Sequence, residues 1–273
     1  MIIYDLSKVP ADVVAQIYAS EKFTKWFSEF PTKLLNIDNP KTVKGEKYGV
    51  RTAVLYLSPA KKSGVNLCAM SHIAKCEGPC LDEAGRGAMS SVQMSRLRKT
   101  LFMLQYWDDF KSMLLTEVLI HAKYCAKHGY FNDDHDWVDS PLRCAVRLNG
   151  TTDIRWENKL WDAMVSLHRE HGVQWYDYTK IANRMVPDLS IYDLTFSYSG
   201  VPEYQRFVQT AIDMGMRLAV VFRYRTQIPK HFMGMDVVDG DDSDLRFIEP
   251  QGVVSALYAK GKAVHDDSGF VVG

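Results

Sequence analysis

Arg51-Thr52-Ala53-Val54-Leu55-Tyr56-Leu57-Ser58-Pro59 is a compact apolar run closed by a proline, and it reads as a buried strand. Shortly after it, Cys68-Ala69-Met70-Ser71-His72-Ile73-Ala74-Lys75-Cys76-Glu77-Gly78-Pro79-Cys80 places three cysteines on one loop. After Gly87 a long helical pattern runs through Val92, Leu97, Leu101, Phe102, Phe110, Leu114, Val118 and Leu119. From there the chain alternates. Cys144–Asn149, Val173–Tyr178, Ser190–Ser197, Arg217–Arg223, Met235–Asp239 and Val253–Tyr258 read as strands. Trp156–His171, a short stretch at Lys180–Arg184, and Tyr204–Met214 read as helices. Strands alternating with helices predict an α/β fold with a mostly parallel sheet and right-handed crossovers. About six such units predict a partial or distorted (β/α) barrel, with an open doubly wound sheet as the alternative.

The residues before this unit differ in character. Ser7 is placed to cap a helix through Val13, Val14, Ile17 and Tyr18, and Phe23 to Phe30 forms a second short amphipathic stretch. The organisation expected is an N-terminal helical extension over residues 1–40 and a barrel-like domain with the cysteine loop over 41–273. Lys41 to Tyr48 and the acidic stretch Asn132 to Ser140 read as loops, with His135 in solvent.

Composition narrows the class. The chain has 273 residues, 47% of them hydrophobic, enough for a full core. Lys+Arg and Asp+Glu are both 33, a formal net charge of zero, which argues against a protein that coats nucleic acid by charge alone. No apolar run approaches the roughly 18 residues of a membrane helix. Met1-Ile2-Ile3-Tyr4-Asp5 lacks the charged and apolar regions of a signal peptide. A cytoplasmic location with no membrane partner is expected.

The cysteines carry the sharpest signal. An odd total of five, three of them clustered, does not suit a disulfide framework. Cys125 and Cys144 stand isolated in the sequence. Cys68, Cys76 and Cys80 on a Gly/Pro-containing loop are suited to one metal centre, and thiolates select zinc or iron–sulfur clusters. With His72 as fourth ligand the set makes a structural zinc site. Three thiolates without a fourth suit a 4Fe-4S cluster with one iron open to a ligand. Three inert, reduced cysteines are the bland alternative.

In α/β folds, ligands bind at the carboxyl ends of the strands. Those ends here carry Asn149-Gly150-Thr151-Thr152-Asp153, then Tyr176-Asp177-Tyr178-Thr179-Lys180, then Ser197, and finally Asp239-Gly240-Asp241. The candidate catalytic residues are Asp153, Tyr176, Asp177 and Lys180. The candidate cofactor-binding residues are Asn149, Thr151, Ser197, Asp239 and Asp241. Each has an ordinary structural reading beside this one. Asp153 suits the cap of the helix near Trp156. Tyr176 and Tyr178 share one side of a strand and suit a wall. Lys180 suits a solvated helix residue, and as a functional group it suits a partner for Asp177 or a holder of an anionic substrate. Asp239 to Asp244 reads as a turn. Gly85-Arg86-Gly87 ahead of a helix is a weak phosphate cradle. Arg96, Arg98 and Lys99 form a basic stretch, read first as a solvated face and second as a nucleic-acid grip.

Several of these segments, taken with Lys44-Gly45-Glu46-Lys47-Tyr48-Gly49, Ala84-Gly85-Arg86-Gly87-Ala88, Arg147-Leu148-Asn149-Gly150-Thr151-Thr152-Asp153-Ile154 and Leu194-Thr195-Phe196-Ser197, resemble in order a family of bacteriophage proteins labelled by gene product eighty-eight. The resemblance runs from about Lys41 to the C-terminus. It implies a phage-encoded protein acting in the host cytoplasm, with the cysteine triplet and the strand-end motifs as its functional positions, and it brings no activity with it. A second likeness is architectural. Radical S-adenosylmethionine enzymes also place a three-cysteine loop after the first strand of a partial barrel, and their cluster binds the methionine part of the cofactor. Their usual spacing is three residues and then two, whereas here seven and then three separate the cysteines, and no Gly-Gly-Glu segment follows the second strand. The expectation is an iron–sulfur enzyme, with S-adenosylmethionine as a further ligand and a small-molecule or nucleotide-type substrate. The alternative is a metal-stabilised module, with zinc or a cluster, that binds nucleic acid or a host protein without catalysis.

Overall fold

The structure, a computed structural model, describes residues 1–80 and 85–273, with residues 40 and 41 described as backbone only. Ala84 of the Ala84–Ala88 motif therefore lies outside the described residues. In chain order the elements are α1 (Ala11–Tyr18), α2 (Glu21–Trp26), β1 (Leu35–Asn36), α3 (Pro40–Val43), β2 (Val50–Leu55), α4 (Ser90–Gln105), α5 (Trp107–Cys125), β3 (Tyr130–Phe131), β4 (Trp137–Val138), β5 (Arg143–Arg147), α6 (Glu157–His171), β6 (Gln174–Thr179), β7 (Tyr192–Ser197), α7 (Gln205–Asp213), β8 (Arg217–Phe222), β9 (His231–Phe232), β10 (Met235–Asp239) and β11 (Val254–Tyr258). Nine of the strands form one sheet in the order β1-β2-β5-β6-β7-β8-β11-β10-β9. β2, β5, β6, β7, β8, β11 and β10 are parallel, and the short β1 and β9 pair antiparallel at the two edges.

The alternation therefore yields the mostly parallel α/β sheet expected of it. The order also decides how the sheet is wound. From β2 to β8 each parallel strand lies beside its predecessor in the chain, with no reversal. A doubly wound sheet reverses at a switch point; this progression instead sends right-handed crossovers to one face. On that face Trp175, Leu194, Phe196, Leu218 and Val220 pack with Phe110, Leu114, Trp156, Leu160, Met164 and Val208 of the helical layer in one core. The opposite face presents Tyr176 and Ala145, covered by Leu245 and Phe247. Closure into a barrel is not shown: β1 and β9 end the pairing on either side.

Several expectations are corrected by non-local contacts. The long helical pattern after Gly87 breaks into α4 and α5 at Tyr106, whose backbone leaves the helical region (φ −134°, ψ 58°). Tyr106 is drawn away by its hydroxyl, which donates to the Ile3 carbonyl (2.7 Å), and by ring contacts with Tyr4 and Phe30. Ser7 does not cap α1: its N–H bonds Asp5 Oδ1, and the helix opens after Pro10 without a side-chain cap. No helix forms at Lys180–Arg184, because Asp153 takes the Lys180 N–H, Thr179 Oγ1 takes the Ile181 N–H, and Arg184 turns inward.

The basic stretch on α4 is neither solvated nor free for nucleic acid. Arg96 is buried and stacks over Tyr56. Arg98 donates to the carbonyls of Glu29 and Phe30, and Lys99 Nζ donates to Leu34 O at 2.6 Å. Burial holds the Lys99 ammonium down at about 8. Glu117 of α5 accepts the Leu34 and Leu35 N–H groups at 2.7 and 2.8 Å. These contacts clamp the first forty residues to the sheet, where β1 pairs with β2 and Ile17, Phe27 and Leu34 enter the main core.

Candidate functional site

The cysteine segment lies across the carboxyl ends of three strands. Beyond β2, the Ala60 N–H donates to Cys68 Sγ (3.3 Å), and the Leu67 N–H returns to the Ala60 carbonyl (3.0 Å). Beyond β5, the Cys68 thiol faces the Thr151 carbonyl at 3.7 Å, and the Asp153 N–H bonds the Leu67 carbonyl at 2.9 Å. Beyond β7, buried Ser199 donates to the Ala74 carbonyl (2.8 Å). Ala60, ahead of the segment, and Lys75, just before Cys76, both hold left-handed backbone (φ 46° and 49°), a conformation that costs a residue with a side chain about 1–2 kcal/mol. The three cysteines are half-buried. Burial pushes the Cys68 thiol up to about 12 and raises that of Cys76, with the Lys180 charge opposing the second shift.

Lys180 lies within electrostatic reach of these thiols. Its Nζ donates to Ser197 Oγ (2.9 Å), Ser197 O (3.2 Å) and Tyr198 O (3.5 Å), and lies 4.7 Å from the centre of the Phe270 ring. Burial lowers its affinity for the proton, while negative charge on Cys76, Asp153, Cys80 and Cys68 raises it. Ser197 therefore serves as the anchor of Lys180, and Thr151, whose hydroxyl donates to Leu57 O (2.5 Å), turns its carbonyl toward Cys68.

Asp153 is not a helix cap, since α6 opens without one. Its carboxylate accepts from Thr179 Oγ1 (2.9 Å), the Lys180 N–H (2.7 Å) and Arg184 Nη1 (3.2 Å). Burial raises its affinity for the proton, and Arg184 works against that. Arg184 also grips Glu157 through Nη2 (2.6 Å) and Nε (3.0 Å) and donates to the Tyr192 hydroxyl (2.9 Å). That hydroxyl donates to Asp177 Oδ2 (2.7 Å). Asp177 does not pair with Lys180. It accepts the Leu148 and Asn149 N–H groups (3.2 and 2.8 Å), and burial lifts its carboxyl to about 6. Asn149 is likewise taken up internally, its Oδ1 accepting from Thr152, the Ile154 N–H and Trp156 Nε1. A buried polar network thus shapes the loop after β5 and positions Asp153 beneath the cysteines.

The other expected positions lie apart from this group. Tyr176 is buried against Phe247, with its hydroxyl 3.5 Å from Thr52 Oγ1. Tyr178 donates to Asp244 (3.2 Å), and Asp244 pairs with Arg147 at 2.5 Å. Both tyrosines are wall residues with partners. Asp239 pairs with exposed Arg225 (3.0 Å), and Asp241 holds Lys260 (2.5 Å) and the Tyr258 N–H (3.0 Å) in a turn at the β10–β11 end.

Zinc geometry can be tested directly. Bonds of about 2.3 Å leave two sulfur ligands no more than about 4.6 Å apart. Among the described residues, the group whose ligating atoms all lie within 4.8 Å of one another is His121, Cys125 and Cys144, which does not include Cys68, Cys76, Cys80 or exposed His72. Cys125 and Cys144, isolated in the sequence, are therefore brought together. The thiol hydrogen bond from Cys144 and the nearby His121 lower the Cys125 thiol, and Cys144 is correspondingly raised. The His121/Cys125 spacing of four residues on a helix was the available signal. Arg184, Glu157 and Tyr192, also missed, gave none.

A cleft of about 400 Å³ opens at the other end of the sheet, where β2 and β5 begin, lined by residues that include Arg51, Tyr124, Asp133, His135, Trp137 and Leu142. No helix of the described residues is long and apolar enough to cross a membrane.

Residues 32–273 match the model of the family described as Gene product 88. That span is most of the chain, and the protein belongs to this family of phage gene products. No curated protein and no solved structure matches the chain.

Proposed function

We propose that the chain is a phage-encoded iron–sulfur protein of the host cytoplasm, with a 4Fe-4S cluster held by Cys68, Cys76 and Cys80, acting as a radical-S-adenosylmethionine-like enzyme on a small-molecule or nucleotide-type substrate. The observation that carries this reading is a loop bearing all three thiols, tied through Cys68 and Ala74 to the carboxyl ends of β2, β5 and β7, with Lys180 in electrostatic reach of the thiols. The one-directional strand order supports it, because that is the winding a partial barrel requires.

A cluster held by three thiolates supplies one iron with a position open to a ligand. The chain's own residues do the rest. Lys180 places a positive charge against thiolates that burial alone disfavours. Asp153 fixes the Lys180 backbone and is held in turn by Arg184. Ser197 aims the ammonium. Nothing comparable favours a nucleic-acid module, because Arg98 and Lys99 are spent on the backbone of residues 29–34.

The test is anaerobic purification followed by iron and sulfide reconstitution, with absorption and electron paramagnetic resonance spectra taken with and without S-adenosylmethionine. The expected result is a brown protein whose reduced spectrum changes when S-adenosylmethionine is added. A folded protein that stays colourless and iron-free overturns the cluster. An iron-loaded protein indifferent to S-adenosylmethionine overturns the enzyme class.

A further inference from the structure

We infer that His121, Cys125 and Cys144 form a second, buried metal site that binds one divalent thiophilic ion of the zinc class and fastens α5 to β5. This site is independent of the cysteine loop, and the cluster reading stands or falls without it.

The inference starts from spacing. His121 and Cys125 are four residues apart on α5, so they share one helix face. Cys144 is the second residue of β5 and lies in the same apolar core as Cys125. Their ligating atoms all fall within 4.8 Å of one another, and His121 Nε2 stands 3.9 Å from Cys125 Sγ. Tetrahedral zinc, with bonds of about 2.0–2.3 Å, needs these atoms only slightly closer together. The Arg51 carbonyl, 3.1 Å from His121 Nε2, offers a fourth donor.

The chemistry of the surroundings agrees. All three side chains are buried, at 6%, 1% and 3% exposure. Two thiolates and a neutral imidazole cancel the charge of a divalent ion, so the loaded site carries no net charge into the core. Soft sulfur donors with one imidazole are the set that zinc-class ions prefer. The frame is rigid, because the Leu142 N–H bonds the carbonyls of both Cys125 and His128 at 3.1 Å. Access is short, because Arg51, Tyr124 and Leu142, neighbours of the site in sequence or by hydrogen bond, line the open cleft.

The experiment uses the full chain carrying Cys68→Ser, Cys76→Ser and Cys80→Ser, which removes the loop thiols. This variant is titrated with cobalt(II) and read by visible and near-ultraviolet absorption. One equivalent bound, with thiolate charge-transfer and tetrahedral d–d bands that zinc abolishes, supports the site. Adding Cys144→Ser should remove about half of the charge-transfer intensity or all of it, with far-ultraviolet circular dichroism unchanged. A folded triple variant that binds no cobalt overturns the inference. If the triple variant does not fold, the wild-type chain is loaded with cadmium-113 and examined by proton–cadmium correlation. Couplings to the Cys125 and Cys144 β-protons support the site, and a cadmium signal coupled only to loop cysteines overturns it.

Discussion

Replacing Arg184 with methionine tests the network beneath the cysteine loop. Arg184 is 2% exposed, and its guanidinium has four contacts: two with Glu157, one with Asp153 and one with the Tyr192 hydroxyl. Methionine keeps much of the volume, so the cavity contribution is small. The electrostatic contribution is not, because two carboxylates are left buried without their cation. Removing one partner of a buried pair costs about 3–5 kcal/mol, and that range is the loss of folding stability expected at pH 7. The assay is urea denaturation followed by tryptophan fluorescence, for which buried Trp156 and Trp175 are reporters. The pH dependence has a definite sign. Without Arg184, nothing of comparable strength opposes the burial that raises Asp153, which then holds its proton more tightly folded than unfolded, so the deficit against wild type shrinks as pH falls toward about 5. Adding Glu157→Gln removes one stranded charge and should recover part of the loss. A deficit under about 1 kcal/mol, or one unchanged between pH 7 and pH 5, would refute the assignment of this network as a charge-balanced support.

Four further outcomes follow from the same geometry. The Asp177 carboxyl, raised to about 6 by burial, should titrate there by carboxyl carbon NMR, so its burden on stability is relieved as pH falls through that value; a midpoint below about 4 contradicts the burial argument. Lys180→Met should slow alkylation of Cys76 at fixed pH, because the charge that favours its thiolate is gone; an equal or faster rate contradicts their proximity. Glu117→Ala leaves the Leu34 and Leu35 N–H groups without their acceptor and should cost about 1.5–3 kcal/mol, with hydrogen exchange accelerated first at those two amides. Gly64→Ala forces a side chain onto a left-handed residue (φ +83°) whose added Cβ would fall 1.9 Å from the Lys8 carbonyl oxygen, so thermal unfolding should show a clear loss of stability while Gly172→Ala, with open space around it, shows a smaller one.

What the sequence reveals divides along local and non-local lines. β2 and β8 are mostly apolar because a parallel sheet buries both faces, while β6 and β7 alternate aromatic or apolar residues with polar ones, and both signals are written within the segment. The cysteine loop, too, is local and lands where an α/β fold puts its ligands. The break at Tyr106 was not readable, because its cause is a carbonyl about a hundred residues earlier. Arg98 and Lys99 look solvated until residues 29–34 are seen to occupy them. Asp177 and Asn149 have the composition of catalytic groups, yet burial and backbone N–H groups commit both to holding a loop. The partnership of Cys144 with His121 and Cys125 depends on a helix crossing a strand, which no spacing records.

The strand order also bears on how the chain is made. From β2 to β8 each new parallel strand meets a neighbour already synthesised, so the sheet is able to grow outward while the chain leaves the ribosome. β10 interrupts that rule. It emerges before β11 yet lies outside it, and among the earlier strands it pairs with β9. The β8–β11–β10 part of the sheet therefore cannot be completed in chain order, and its pairing waits on the synthesis of β11.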